Sequence, residues 1–437
     1  MRLKLQNIGI IEEADINVDG ITLIAGQNDS GKSTVGKVLY ALVRGVNIDE
    51  ESFNASKYDF IVERIRDLRI LLTRIKPLDK EEEEIQKSIL NDILESENSI
   101  FDKYRIRFRS NNVSIDQNEL ILELDRINRL INSFSDEITK NRLSNITEEI
   151  INRISISFDS IEVKHFEIET YFKDGFGNQI QNQFNSNDSF VSAEGFSNQK
   201  ITFNEKTSFE GFDSISDFYY QDVVFIESPM KLQERFFGSF GSNLMRDKNI
   251  YLNSKIFQEE KEVDIFSDNT EKFKRFQENI FEILKGKFDF NKRGELIYKK
   301  NDVAFDFRNV ATGIKSFGIL QLLIQKGVLN QNTLLILDEP EVHLHPTWQV
   351  KFAEILVLLS KEFAIPIILT SHSPYFIEAL EAYTKKYKYE SSTNFYFAKK
   401  NEDGLSSKII DVTEDIMPIL NSISEAFYTI QDLNDED

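Results

Sequence analysis

Residues 26–34 read Gly26-Gln27-Asn28-Asp29-Ser30-Gly31-Lys32-Ser33-Thr34, a Gly-x4-Gly-Lys-Ser pattern that directly follows the apolar run Ile21-Thr22-Leu23-Ile24-Ala25. That placement constrains the chain more than any other feature. The apolar run fits a buried strand, and from Val35 to about Arg44 the sequence continues at helical spacing without proline. Strand, glycine-containing loop and helix in succession form the βα unit of an α/β sheet. The glycines let backbone N–H groups curl around a phosphate, and the next helix turns its positive N-terminus toward the same anion. All nine residues are therefore candidate nucleotide-binding positions. Lys32 would reach the β- and γ-phosphates, and the Ser33 hydroxyl would ligate Mg²⁺. Chance produces the pattern in roughly 1–2% of chains this long.

Far downstream, Thr333-Leu334-Leu335-Ile336-Leu337 delivers Asp338 and Glu339 at the expected carboxyl end of a second buried strand. Asp338 would hold Mg²⁺, directly or through water, and Glu339 would act as general base on the attacking water. Taken alone, an Asp-Glu pair after an apolar run is more often a strand entering a surface loop; the first motif makes the chemical reading the better one. Three of the four histidines, His343, His345 and His372, fall in this region. His372 follows the apolar run Ile367–Ser371, where a neutral imidazole could bond the γ-phosphate or orient water, the alternative being a structural hydrogen bond. His343 and His345 lack the cysteines or helical spacing of a zinc site.

Ahead of the Asp-Glu pair, Asn309-Val310-Ala311-Thr312-Gly313-Ile314-Lys315-Ser316 precedes a helical stretch at Ile319–Lys326. This order of motifs resembles the ATP-binding cassette superfamily. Within it, Asp338-Glu339-Pro340-Glu341-Val342-His343-Leu344-His345-Pro346 resembles the RecF/SMC-related and OLD-type ATPases. The resemblance is strong over 1–45 and 305–375 and implies an ATP sandwich between two subunits. In that arrangement Ala311, Thr312, Gly313 and Lys315 form a signature loop acting in trans, with Ala311 standing where serine is usual. His343 and His345 would take the place of the D-loop across the seam. The glutamine that normally senses the metal has no clear match; Gln221 and Gln233 flank the run Val223–Glu227.

The expected fold class is α/β: an ABC-type P-loop ATPase core of mixed sheet and flanking helices, with an antiparallel β subdomain and helical insertions. The core is assigned to 1–50, 155–226 and 287–437. Residues 51–154 form a helical insertion, in which Ile61, Ile65, Leu68, Leu72, Ile75, Ile85, Ile89 and Ile93 recur at helical spacing, and 227–286 form a second, mainly helical one. Period-two patterning at Ile161, Val163, Phe166 and Ile168 predicts antiparallel strands after the first insertion, and Asn291–Gly294 predicts a hairpin turn.

With no cysteine, disulfides, thiolate metal sites and cysteine nucleophiles are excluded. No apolar stretch approaches a membrane span or signal peptide, so the expectation is a cytoplasmic protein without a membrane partner. A net charge of −21 repels phosphate backbones, so DNA binding would need a local basic patch, for which Lys103, Arg105, Arg107 and Arg109 on one strand face are candidates.

OLD-type proteins usually continue into a Toprim nuclease domain, and the residues after His372 lack its acidic strand ends. The resemblance therefore runs closest to stand-alone ATPase subunits of bacterial anti-phage systems, the AriA type of PARIS and the PtuA type of Septu and retrons. It implies a homodimer or higher homo-oligomer with ATP and Mg²⁺, controlling a separately encoded nuclease or toxin effector. The alternative is a RecF/SMC-like repair or chromosome-maintenance ATPase that binds DNA.

Overall fold

In a computed structural model the described residues are 1–107, 117–132, 136–156, 161–184, 188–194, 201–203, 209–210, 219–227, 248–257 and 280–424, apart from 49, 78, 178 and 302, together with 158, 276 and 278. The strands are β1 (Arg2–Ile8), β2 (Ile11–Asn17), β3 (Ile21–Ala25), β4 (Ser189–Ala193), β5 (Ile201–Phe203), β6 (Phe209–Glu210), β7 (Asp222–Ile226), β8 (Lys287–Phe290), β9 (Leu296–Lys300), β10 (Val303–Asp306), β11 (Thr333–Asp338), β12 (Ile367–Ser371), β13 (Thr393–Lys400) and β14 (Ser407–Asp411). The helices are α1 (Lys32–Val46), α2 (Glu50–Arg74), α3 (Lys80–Arg107), α4 (Gln117–Ile131), α5 (Glu137–Ser155), α6 (Ile161–Phe176), α7 (Lys248–Phe257), α8 (Thr312–Gln325), α9 (Pro346–Phe363) and α10 (Pro374–Lys386). Two compact units result, one assembled from Met1–Asn47 and the described residues from Lys164 onward, the other from Ile48–Val163.

The first unit holds an 11-stranded sheet in the order β6-β5-β4-β1-β2-β14-β13-β3-β12-β11-β7. Strands β13, β3, β12, β11 and β7 run parallel to one another. On the other flank β2, β1, β4, β5 and β6 are joined antiparallel. Every residue of β3 and β12 is buried, as are the first five of β11. Strands hidden on both faces need unbroken apolar sequence, and these runs supply it. Ile21, Leu23, Leu335, Leu337, Ile367 and Leu369 meet α8, α9 and α10 on one face. Helix α1 covers the other face, where Gly36 lies so close to the sheet that a Cβ would stand 3.0 Å from Ile336 Cγ2. A separate three-stranded antiparallel sheet, β10-β9-β8, turns at Asn291–Gly294. This mixed α/β architecture, with a parallel core and an antiparallel flank, is the expected fold class.

Helix α1 ends against α6 through Gly45. A Cβ there would come within 2.4 Å of Ile168 Cγ1 and 2.8 Å of Ile168 N. Backbone cannot yield as a side-chain tip can, so Gly45→Ala must prise the two helices apart. A loss of about 1–3 kcal/mol is expected, read as a lower denaturant midpoint at unchanged slope.

The second unit is helical. Ile61, Ile65, Leu68 and Leu72 form a buried stripe along α2 and meet Ile89 and Ile93 of α3, with α4 and α5 closing the same core. The spacing of three and four residues puts them on one face.

Two local expectations are corrected. Ile161, Val163, Phe166 and Ile168 belong to helix α6, not to strands. Its buried positions, Val163, Glu167, Ile168, Tyr171 and Phe172, follow helical spacing, whereas the step of three from Val163 to Phe166 already breaks strand alternation. Lys103, Arg105 and Arg107 likewise lie in helix α3, and Arg109 lies outside the described residues. Successive steps of two in a helix turn about 200°, so an every-second-residue spacing does not line a single face there as it does on a strand.

Candidate functional site

Neighbouring parallel strands β3, β12 and β11 carry their carboxyl ends to one edge of the sheet, and each ends in chemistry. Beyond β3 the chain enters the 26–31 loop, in which Gly26, Asp29 and Gly31 all have positive φ, 157°, 57° and 82°. The loop is tightly seated: a Cβ on Gly26 would lie 2.7 Å from Ala398 O, and one on Gly31 2.8 Å from Ile11 Cγ1. Gly31 caps α1 without any side-chain hydrogen bond to the helix. The free N–H groups of the first turn are thus left for an anion.

Lys32 is only 4% exposed. Its ammonium donates to Gly26 O at 3.0 Å and Gln27 O at 2.8 Å, and lies 3.6 Å from Glu339 Oε1. Ser33 Oγ donates to Asp338 Oδ1 at 2.8 Å, joining the loop to the end of β11. Thr370, on β12, donates its hydroxyl to the same Asp338 oxygen at 2.5 Å. Glu339 adopts φ 49°, and its N–H donates to Thr370 Oγ1 at 3.0 Å. That turn carries its carboxylate back over the loop, where Oε1 meets His372 Nδ1 at 3.1 Å. Lys32, Ser33, Asp338, Glu339 and His372, predicted from three distant segments, therefore converge.

Charge is concentrated here. Burial pushes the Lys32 ammonium below the ordinary lysine pKa, although Glu339 pulls the other way. The His372 ring, 3.1 Å away, holds the Glu339 carboxyl below the usual range, with Lys32 adding to the effect against burial. Glu339 in turn raises His372, so the ring holds its second proton more firmly than a free imidazole does.

The remaining loop residues are structural or open. Ser30 Oγ donates to Gln27 O at 2.8 Å, and Ser407 Oγ donates to Ser30 O at 2.8 Å. The Thr34 side chain lies beside Gly9, at the turn between β1 and β2. Gln27, Asn28 and Asp29 are exposed.

Ala311 caps α8 with no side-chain hydrogen bond, while Thr312 and Gly313 sit in its first turn. A Cβ on Gly313 would be 2.8 Å from Leu344 Cδ2, so this helix start packs on the turn that carries His343 and His345. Both histidines are exposed; His343 has φ 73°, and His345 caps α9, its Nδ1 accepting from Thr347 N at 3.3 Å. Lys315 does not join them. It is 2% exposed, its ammonium lies 4.9 Å from the Phe307 ring centroid and 3.5 Å from Arg308 O, and burial lowers its pKa. On a helix whose next turns are buried, Lys315 falls on the inward side.

Gln221 precedes β7 and donates its N–H to Asn332 O at 2.8 Å, at the amino end of the parallel strands and so remote from the phosphate loop. Gln233 lies outside the described residues. The residue that follows β7 at the correct end is Glu227, one place beyond the Ile226–Leu337 pair and ion-paired with Lys248. Thr370 and Glu227 escaped sequence reasoning because strand register, rather than spacing along the chain, brings them to Asp338.

Ser33 Oγ and Asp338 Oδ1 are oxygen donors held within hydrogen-bond reach, a set that suits Mg²⁺. Among the described residues no group of three or more His, Asp or Glu side chains forms a metal cage. A cation that keeps its waters and borrows phosphate oxygens fits that arrangement. No helix among the described residues is long and apolar enough to cross a membrane.

A family profile described as AAA ATPase domain, AAA_15, matches residues 1–377. No curated protein matches the chain. Among solved structures, the Smc head domain of Pyrococcus furiosus with an extended coiled coil, bound to the C-terminal domain of ScpA, aligns at 11% identity and TM-score 0.34, covering 99% of this chain and 98% of that one. The SMC head domain from Thermotoga maritima aligns at 11% identity and TM-score 0.35, covering 94% and 98%.

Proposed function

The chain belongs to the AAA ATPase domain family, and from that premise we propose that it binds ATP with Mg²⁺ in the 26–34 loop, hydrolyses it, and closes on a second copy of itself as it does so. One observation carries the reading: Lys32 and His372 both approach the same Glu339 oxygen, at 3.6 and 3.1 Å, beside the Ser33–Asp338 pair. Bound ATP would supply the phosphoanhydride that breaks, and Mg²⁺ the charge that neutralises its β- and γ-oxygens. Lys32 turns from Glu339 toward the phosphates, and His372 follows. Freed of the Lys32 ammonium and the His372 ring, Glu339 regains basicity and takes a proton from water as the water oxygen attacks in line. Asp338 and Ser33 would hold the metal.

Closure of a dimer is supported by the uncapped, outward-facing start of α8 at Ala311 and by the exposed Val342 and His343 beside it. In a sandwich the first N–H groups of α8 would meet the γ-phosphate held by the other copy. Ala311, where serine is usual, removes one hydroxyl from that contact. Lys315, buried, would brace the loop rather than touch nucleotide.

At the level of biology the reading is a sensor or scaffold subunit of an anti-phage system that controls a separately encoded nuclease or toxin. Its support is the Asp338–Pro346 motif and the resemblance to stand-alone defence ATPases. The DNA-repair alternative loses its main support once Lys103, Arg105 and Arg107 are helical. Light scattering on the purified chain tests the mechanism. Molar mass should at least double on addition of ATP and Mg²⁺ and fall back as phosphate is released; an unchanged mass at saturating nucleotide would reject the sandwich.

A further inference from the structure

Glu341 lies two residues beyond the proposed base and has no part in the hydrolysis scheme, yet it is 2% exposed. Its Oε1 accepts two hydrogen bonds, from Ser371 Oγ at 2.5 Å and from the His372 backbone N–H at 3.2 Å. Ser371 Oγ in turn accepts from Ser373 N at 3.1 Å. Ser373 Oγ donates to Gln349 Oε1 at 2.6 Å, and Gln349 Nε2 donates to Leu344 O at 3.1 Å. A chain of bonds therefore runs from the β11 end, through the turn after β12, into α9. His372 rides on that turn.

We propose that Glu341 is a positioning residue that fixes the 371–373 turn so that the His372 imidazole is held beside the phosphate loop, from where it can turn to the nucleotide, and that this role needs one carbonyl-type acceptor rather than a negative charge. The inference rests on the ATPase reading, because His372 acts there. Two features favour an uncharged acceptor. Oε2 is buried without a hydrogen-bond partner, a poor setting for a carboxylate. Burial also raises the pKa of this carboxyl above the usual range. Glutamine keeps the Oε1 acceptor at the same reach; alanine removes it.

The test uses the full chain with Glu341→Gln and Glu341→Ala, each alone and combined with His372→Ala. Glu341→Gln should keep kcat within about threefold of wild type. Glu341→Ala should lower kcat at least tenfold with KM for ATP changed less than about twofold, as expected when a group held near the reaction is misplaced. In the His372→Ala background, Glu341→Ala should change kcat less than about twofold, because the residue it positions is gone. Hydrogen exchange gives a readout independent of turnover: the His372 backbone amide should exchange faster in Glu341→Ala and at the wild-type rate in Glu341→Gln. Should the alanine variant not fold, Ser371→Ala removes the same bond from its other side and should show the same loss of kcat at constant KM.

A Gln variant as impaired as Ala would overturn the uncharged-acceptor role. Additive losses in the double variant, or no change in His372 exchange, would overturn the positioning role. A wild type without turnover would reject the ATPase reading instead, while the exchange measurement would still decide whether Glu341 ties the turn.

Discussion

Glu339→Gln should bind ATP at least as tightly as wild type and release phosphate about 10²–10⁴-fold more slowly, the range over which a positioned general base acts. The substitution keeps side-chain length and the amide oxygen that can face His372. It removes the negative charge that Lys32 and His372 approach at 3.6 and 3.1 Å. The Lys32 ammonium and the His372 ring then have one fewer anion competing with phosphate, which accounts for the retained or improved affinity. If closure on a second copy precedes hydrolysis, the variant should also accumulate as a nucleotide-loaded dimer that does not reopen. Single-turnover phosphate release, measured beside light scattering, separates these effects. Wild-type turnover in the Gln variant would remove Glu339 from the role of base.

Lys32→Ala should abolish the thermal shift that ATP produces. A charge-assisted hydrogen bond contributes about 1.5–3 kcal/mol, or roughly 10–150-fold in affinity, and Lys32 can make more than one such bond across two phosphates. Nucleotide at about 100 times its Kd stabilises wild type by about 2.7 kcal/mol; the same concentration should leave the variant almost unmoved. Without nucleotide the order differs. Burial already disfavours the charged form of Lys32, so its ammonium opposes folding in the empty state, and deleting it relieves that cost while losing some methylene packing. The variant's Tm without ATP should therefore lie close to wild type. A full ATP-induced shift in Lys32→Ala would reject the assignment of the 26–34 loop as the phosphate cradle.

Much of this site could be read from the chain because its strands are buried on both faces. An all-apolar run such as Leu334–Leu337 announces a central parallel strand, and whatever polar residues end it must stand at the sheet's edge. That logic located Asp338, Glu339 and His372. It could not locate Thr370, whose bond to Asp338 depends on the pairing of β11 with β12. Nor could it orient α8, where Lys315 turns inward onto Phe307. Helix α6 was misjudged for a different reason: Val163 and Ile168 sit among enough polar residues to imitate alternation, and the contact that selects the helix, with Gly45, is remote in sequence. Gln221 shows the same limit, since sequence could not place it, while strand direction puts it at the far end.

The sheet order also sets a timetable for synthesis. Strand β3, which leads into the phosphate loop, has β13 as one neighbour, and β13 and β14 alone link it to the β1–β2 hairpin. The Gly26 loop rests on Ala398, and Ser30 is bonded by Ser407. A ribosome adding roughly 5–20 residues per second would need about 20–70 s between making β3 and making β13. Throughout that interval the nascent nucleotide loop lacks a wall. Early ribosome-bound chains therefore lack the mature setting of this loop even once Asp338 and Glu339 have emerged, and the phosphate loop is completed only after β13 and β14 have joined the sheet.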